Sequence, residues 1–200
     1  SRNSSITHAL PCSSYVNDYL KTGNFGDCDG AEIQQYYELI AATTRQVVQD
    51  AAASMSSSIL VAGLILHLWS SDDAVNHAIS DAFAHSSSTG AMPAMTVYAW
   101  SSRTSGVPMP APPTDNVDVA VRGELLAIDG SRYRFAYLTH ARMLLAADLE
   151  ARVAHVIVDD VAALRGFDRA SPLRGPLGWL LPVFGRFLVH AGGLVSEDHA

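Results

Sequence analysis

The chain has 200 residues, 48% of them hydrophobic and 16% charged. That much apolar material builds a packed core for one or two domains and excludes global disorder. A net charge of −7 excludes a nucleic-acid binder that works by neutralising phosphates.

The N-terminal stretch is polar and contains both cysteines, Cys12 and Cys28. A bridge between them would close a short loop and add about 3 kcal/mol at best. Asn3-Ser4-Ser5 fits an N-glycosylation acceptor, which has meaning only in a secretory compartment. Together these features point to an extracellular, disulfide-bonded glycoprotein. The competing reading is a pair of free thiols inside the cell. The cysteines lack C-x-x-C spacing and a nearby His, which disfavours zinc and thioredoxin-like chemistry.

A helix of about 25 residues is predicted from Asp29. Asp29 and Glu32 resemble a capping box, and Ile33, Tyr37, Ile40, Thr44, Val47, Ala51 and Met55 form one apolar stripe. Ser56–Ser58 reads as a break. Ile59–Trp69 is almost wholly apolar but shorter than the roughly 20 residues of a membrane span, so it reads as a buried core helix with Gly63 allowing close packing. A third helix is expected over Asp72–His85, capped by Ser70 or Ser71. Met95–Trp100 reads as a short strand.

Proline then divides the chain. None occurs between Pro11 and Pro93, whereas Pro108, Pro110, Pro112 and Pro113 cluster within Gly106–Asn116. Proline excludes helix interiors, so this stretch reads as a linker or an extended connection. Val117, Val119 and Val121 alternate with polar residues and Ala120, and Tyr133, Phe135 and Tyr137 do so beyond Asp129-Gly130. This is a hairpin pattern with a favoured two-residue turn and a bulge at Gly123. Ala141–Ala151 is rich in Ala and Leu and reads as helix. Val153–Val158 fits a buried strand or more helix. A further helix is expected from Asp159/Asp160 to Phe167, and Trp179–Val195 is apolar with Arg186 and His190 inside it.

The expected fold class is therefore α+β. A Ser-rich helical module of two to three helices over 1–105 is joined by a Pro-rich connection over 106–116 to a hairpin-plus-helix module over 117–200. A single composite sheet, in which the hairpin pairs with Met95–Trp100, is the alternative.

Candidate chemistry is sparse. Asp73, His77, Asp81 and His85 recur every four residues, one stripe of a helix, and His77, Asp81 and His85 are candidate ligands for a divalent metal. The competing reading is a solvated face with i, i+4 pairs. Asp159 and Asp160 follow a buried apolar run, where carboxylates in open α/β sheets hold a metal or a ribose, or else cap the next helix. His140 or His155 with such an Asp would form a base and its orienter. No Gly-rich phosphate loop and no G-x-S-x-G elbow is present. Arg165, Arg169 and Arg174 flank the C-terminal apolar run and suit an anionic membrane surface or the polar rim of a buried helix.

The preferred function is a secreted, non-catalytic interaction protein, effector- or toxin-like, that binds another protein or a cell surface. The alternatives are a membrane-active protein using 59–69 and 179–195, and a metal-dependent hydrolase using the His/Asp stripe. No cofactor other than a divalent metal is implied. Replacing Cys12 with Ser is expected to lower the thermal stability of the oxidised protein without abolishing folding, because 200 residues supply a core of their own. Identical melting of oxidised wild type and variant would show that no bridge contributes.

Overall fold

The computed structural model describes residues 30–51, 55–71, 73–80, 83, 92–111, 124–129 and 132–188. Among these, helix α1 (Gly30–Asp50) is followed by strands β1 (Met55–Val61) and β2 (Leu64–Ser70), helix α2 (Asp73–Ser80), strand β3 (Met95–Ser101) and the single-turn helix α3 (Ser102–Ser105). Then come β4 (Glu124–Asp129), β5 (Tyr133–Leu138), β6 (Met143–Asp148) and β7 (Val153–Val158). The short helices α4 (Gly166–Ala170) and α5 (Arg174–Leu180) follow.

All seven strands belong to one mixed sheet in the order β1-β2-β3-β7-β6-β5-β4. β2, β3 and β7 run parallel, and every other neighbour is antiparallel. This overturns the expected sequence of a helical module and then a hairpin module. Strands from before and after the Pro-rich stretch share one sheet, and the link is the pairing of β3 with β7. Met95–Trp100 does form a strand, but its C-terminal neighbour is β7 rather than the hairpin.

Helix α1 arises over most of its predicted stripe but ends at Asp50, and Met55 opens β1 instead. Tyr37, Ile40, Thr44 and Val47 are buried, and Tyr36 joins them. They lie on one face of the sheet against Trp69, Trp100, Phe135, Leu144, Ala146 and Ile157. Val107 and Met109, from the Pro-rich stretch, pack against the same core. The opposite face is aliphatic. Leu66, Leu68, Val97, Leu145 and Val156 meet Val75 and Ile79 of α2, and Leu177 and Leu180 of α5. The sheet is thus covered on both sides, as a three-layer arrangement requires.

Two expected helices are strands. β6 and β7 are buried on both faces, so they carry apolar residues without alternation and imitate a core helix. The expected helix Ala141–Ala151 is therefore β6 between two turns. The expected core helix Ile59–Trp69 is the β1–β2 hairpin, and Ser56–Ser58 lies inside β1 rather than breaking a helix. Its turn is Ala62-Gly63, with φ of 51° and 77°. Positive φ at both positions is the two-residue hairpin geometry that Asn-Gly signals in sequence, and Ala at the first position hides it.

The hairpin at 124–138 is present, with β4 antiparallel to β5. Its last register pair among the described residues is Asp129↔Arg134, which puts Asp129 in the strand rather than in a two-residue turn, and its register shifts between Leu125 and Ile128; Gly123 lies outside the described residues. Val117–Val121 lie outside the described residues. The helix expected after Asp160 is only a 3-10 turn, Val161–Ala163, ahead of α4.

Helix α5 approaches the sheet closely. A Cβ added to Gly175 would sit 2.7 Å from Cδ1 of the buried Leu145, while one added to Gly178 would meet nothing within 4 Å. Gly175→Ala is expected to destabilise by about 1–3 kcal/mol through overpacking. Gly178→Ala is expected to be neutral or to stabilise by up to about 1 kcal/mol through helix propensity. Urea unfolding of both variants checks this, and equal effects would contradict the docking of α5 on β6.

Candidate functional site

Two polar constellations stand out, one inside the fold and one on its rim. The inner one centres on His155, which β7 presents toward α1 and which is buried. Its Nδ1 lies 3.0 Å from Thr44 Oγ1, and its Nε2 lies 3.3 Å from the Tyr37 hydroxyl. Trp100 Nε1 donates to the same Thr44 Oγ1 at 3.1 Å. The rings of Tyr98 and His155, register partners on β3 and β7, stack with centroids 5.7 Å apart. A neutral imidazole donates through one nitrogen and accepts at the other, and the two hydroxyls rotate to suit either tautomer.

The network continues outward. Tyr37 stacks on Tyr133 at 4.8 Å, and the Arg132 guanidinium lies over the Tyr133 ring at 5.0 Å. Arg132 grips the buried carboxylate of Asp148 through Nε at 3.1 Å and its terminal nitrogen at 2.7 Å. Asp148 Oδ1 also accepts from the backbone N–H groups of Glu150 and Ala151, each at 3.0 Å. Those bonds hold the β6–β7 turn.

The electrostatics follow from burial and partners. Burial, with a smaller push from Arg45, drives the His155 imidazole down from its ordinary 6.5 to about 4. Burial raises the phenols of Tyr36 and Tyr37 above their usual range. Burial also pulls the Asp148 carboxyl upward. The hydrogen bonds from Arg132, Ala151 and Glu150 outweigh this and hold it below the usual carboxylate range. His155 is thus neutral and enclosed, and its hydrogen bonds secure α1 to the centre of the sheet.

The rim lies at the carboxyl ends of β3 and β7. Arg142 Nε pairs with Asp159 at 3.1 Å, and Arg103 pairs with Asp160 at 3.1 Å. His140 Nε2 meets Asp168 at 2.9 Å. The Ser101 hydroxyl and the Arg103 N–H both donate to the Asp159 carbonyl. Asp160 Oδ1 accepts from the Ala162 N–H at 2.9 Å and so caps the 3-10 turn. The capping reading of Asp160 therefore holds. Asp159 and Asp160 each pair with an arginine, and Asp168 with the His140 imidazole.

A His–Asp pair does form, but between His140 and Asp168, while His155 pairs with hydroxyls. Asp168 escaped notice because it enters from α4, 28 residues along the chain. Of the proposed metal stripe, His77 lies exposed on α2, while Asp81 and His85 lie outside the described residues. Among the described residues no group of three or more His, Cys, Asp or Glu is placed to hold a metal. Cys12, Cys28 and Asn3 also lie outside them. Thr44 and Tyr37 were legible only as core positions, and Trp100 only as the end of a short strand.

No protein-family model matches the chain. Comparison with curated proteins and with solved structures likewise found no match.

The depressed His155 basicity has a measurable consequence. The unfolded chain takes up this proton near pH 6.5, whereas the folded chain resists until about pH 4. Between those values the unfolded state binds more protons, so acid favours unfolding. The stability in question is complete above pH 6.5 and declines toward pH 4, by on the order of 3 kcal/mol in total. The Asp148 contribution works in a separate window: it is present above the ordinary carboxylate pKa and is lost as pH falls below about 4. Urea unfolding of wild type across pH 4–7 should show the first decline, and His155→Gln should flatten it. A variant with the wild-type slope would assign the decline to another group.

Proposed function

We propose that the chain is a non-catalytic interaction protein that works outside the cell and binds another protein through its C-terminal surface. One observation carries this reading: several large apolar side chains between residues 167 and 188 are exposed. Phe167, Val183, Phe187 and Leu188 are all exposed, Phe187 at 74% of its full area. Two arginines lie over aromatic rings on this part of the molecule, Arg174 over Phe167 at 4.9 Å and Arg152 over Phe184 at 5.0 Å. Exposed aromatic residues with neighbouring arginines are the usual composition of contact hot spots.

The buried polar groups support the same reading from the other side. His155, Thr44, Trp100 and Asp148 hydrogen-bond within the fold. The rim carboxylates are paired with Arg103, Arg142 and the His140 imidazole. The extracellular setting rests on Cys12, Cys28 and the Asn3 acceptor.

A membrane surface is the second reading, favoured by Arg186 next to the exposed Phe187 and Leu188. No described helix is long and apolar enough to cross a membrane. The two readings separate in one experiment. Labelled protein is applied to intact cells, to protease-shaved cells and to vesicles of anionic lipid. The protein-binding reading expects retention on intact cells only, and a loss of about tenfold or more in Phe187→Asp, since one hot-spot residue is worth about 2 kcal/mol. Equal retention on shaved cells and vesicles would favour the membrane. Retention unchanged in Phe187→Asp would remove this surface from the account.

A further inference from the structure

The two edges of the sheet differ in how they resist further pairing. β4 carries Glu124 and Asp129 at its ends, and its register with β5 shifts between Leu125 and Ile128. Charge and irregularity both discourage strand addition. β1 reads Met-Ser-Ser-Ser-Ile-Leu-Val, without charge, proline or a register shift. Among the described residues it has a strand partner, β2, on one side only.

The direction of its backbone groups follows from the turn. The Ala62-Gly63 connection makes Val61↔Leu64 a hydrogen-bonded pair. Alternation then points the N–H and C=O groups of Met55, Ser57, Ile59 and Val61 toward β2. Those of Ser56, Ser58 and Leu60 point to the open edge. Ile59 and Val61 contribute side chains to the aliphatic core, and the strand period places Ser57 on that same face. The Ser57 hydroxyl is buried and has no hydrogen-bond partner.

We propose that β1 pairs antiparallel with β1 of a second copy of this chain, about a two-fold axis at Ser57. In this register the outward backbone groups of Ser56 and Ser58 bond those of Ser58 and Ser56 in the second copy. Met55 lies opposite Ile59 of the second copy on the core face, so the aliphatic layer continues across the axis. Ser57 faces its own twin as a non-hydrogen-bonded pair with Cα atoms about 4.5 Å apart, and each hydroxyl gains the other as partner. The strand has no charge, so none is opposed by its copy. The contact is isologous and consumes the open edge, while the blunted β4 edge stops growth at two copies. This inference does not depend on the C-terminal surface.

The test uses the full chain. Light scattering and sedimentation are expected to show a dimer. Ser58→Pro removes an N–H that faces the open edge and none that β1 shares with β2, which an edge strand tolerates. It is expected to give a monomer with unchanged circular dichroism. In a second experiment the Cys12→Ser/Cys28→Ser background receives either Ser57→Cys or Ser58→Cys. Mild oxidation is expected to cross-link Ser57→Cys to its own copy, because the non-hydrogen-bonded spacing suits a disulfide, and to leave Ser58→Cys monomeric. Should Ser58→Pro fail to fold, the cysteine pair decides alone. A monomeric wild type, a dimer that survives in a folded Ser58→Pro, or cross-linking at position 58 in place of 57 would each overturn the proposal.

Discussion

The parallel pairing of β3 with β7 is the constraint on which the rest depends. Six register pairs, from Thr96↔Val153 to Ser101↔Val158, join the two halves of the chain. Most other strand neighbours are close in sequence: β1 with β2, and β4 through β7 as a meander. Each of those ladders closes a short loop, whereas the β3–β7 seam closes a long one and costs more chain entropy before it gives any contact. The seam is where the fold places the His155 network. Tyr98 and His155 stack across it, Trp100 on β3 reaches Thr44 on α1, and His155 on β7 reaches the same hydroxyl. Helix α1 thus acts as a clamp over the junction.

A neutral histidine suits that position. An apolar residue would pack but would leave Thr44 Oγ1 and the Tyr37 hydroxyl without their imidazole partner, and a lysine or carboxylate would carry a charge into the core. Imidazole satisfies two hydroxyls at once and stays uncharged because burial depresses its basicity. The outer end of the network meets water through Arg132, whose guanidinium caps Tyr133 and binds Asp148. The inner polar network therefore holds the sheet together. The surfaces proposed here for partners are the aromatic C-terminal stretch and the uncharged edge of β1.

Legibility in the sequence followed how many faces of an element are covered. α1 has one buried stripe, and its period identified Tyr37, Ile40, Thr44 and Val47 as core. β5 alternates Tyr133, Phe135 and Tyr137 and was legible for the same reason. β6 and β2 carry apolar residues on both faces, so period two vanishes and Ala-, Leu-rich runs read as helix. Ala62 at a turn position that favours Asn or Asp hid the β1–β2 hairpin. The rim pairs could not be read at all, because His140 and Asp168, or Arg103 and Asp160, meet only once the sheet has formed. Asp160 was legible as a cap because that role is local.

Amide hydrogen exchange under increasing denaturant tests the seam most directly. The account predicts that the amides of Val97–Trp100 and Ala154–Ile157 share one opening free energy, equal to that of global unfolding, because α1 packs across the seam and joins both sides of the sheet into one cooperative unit. Protection retained by β5–β7 after β2 and β3 have opened, or the reverse, would contradict it and show two halves that fold apart.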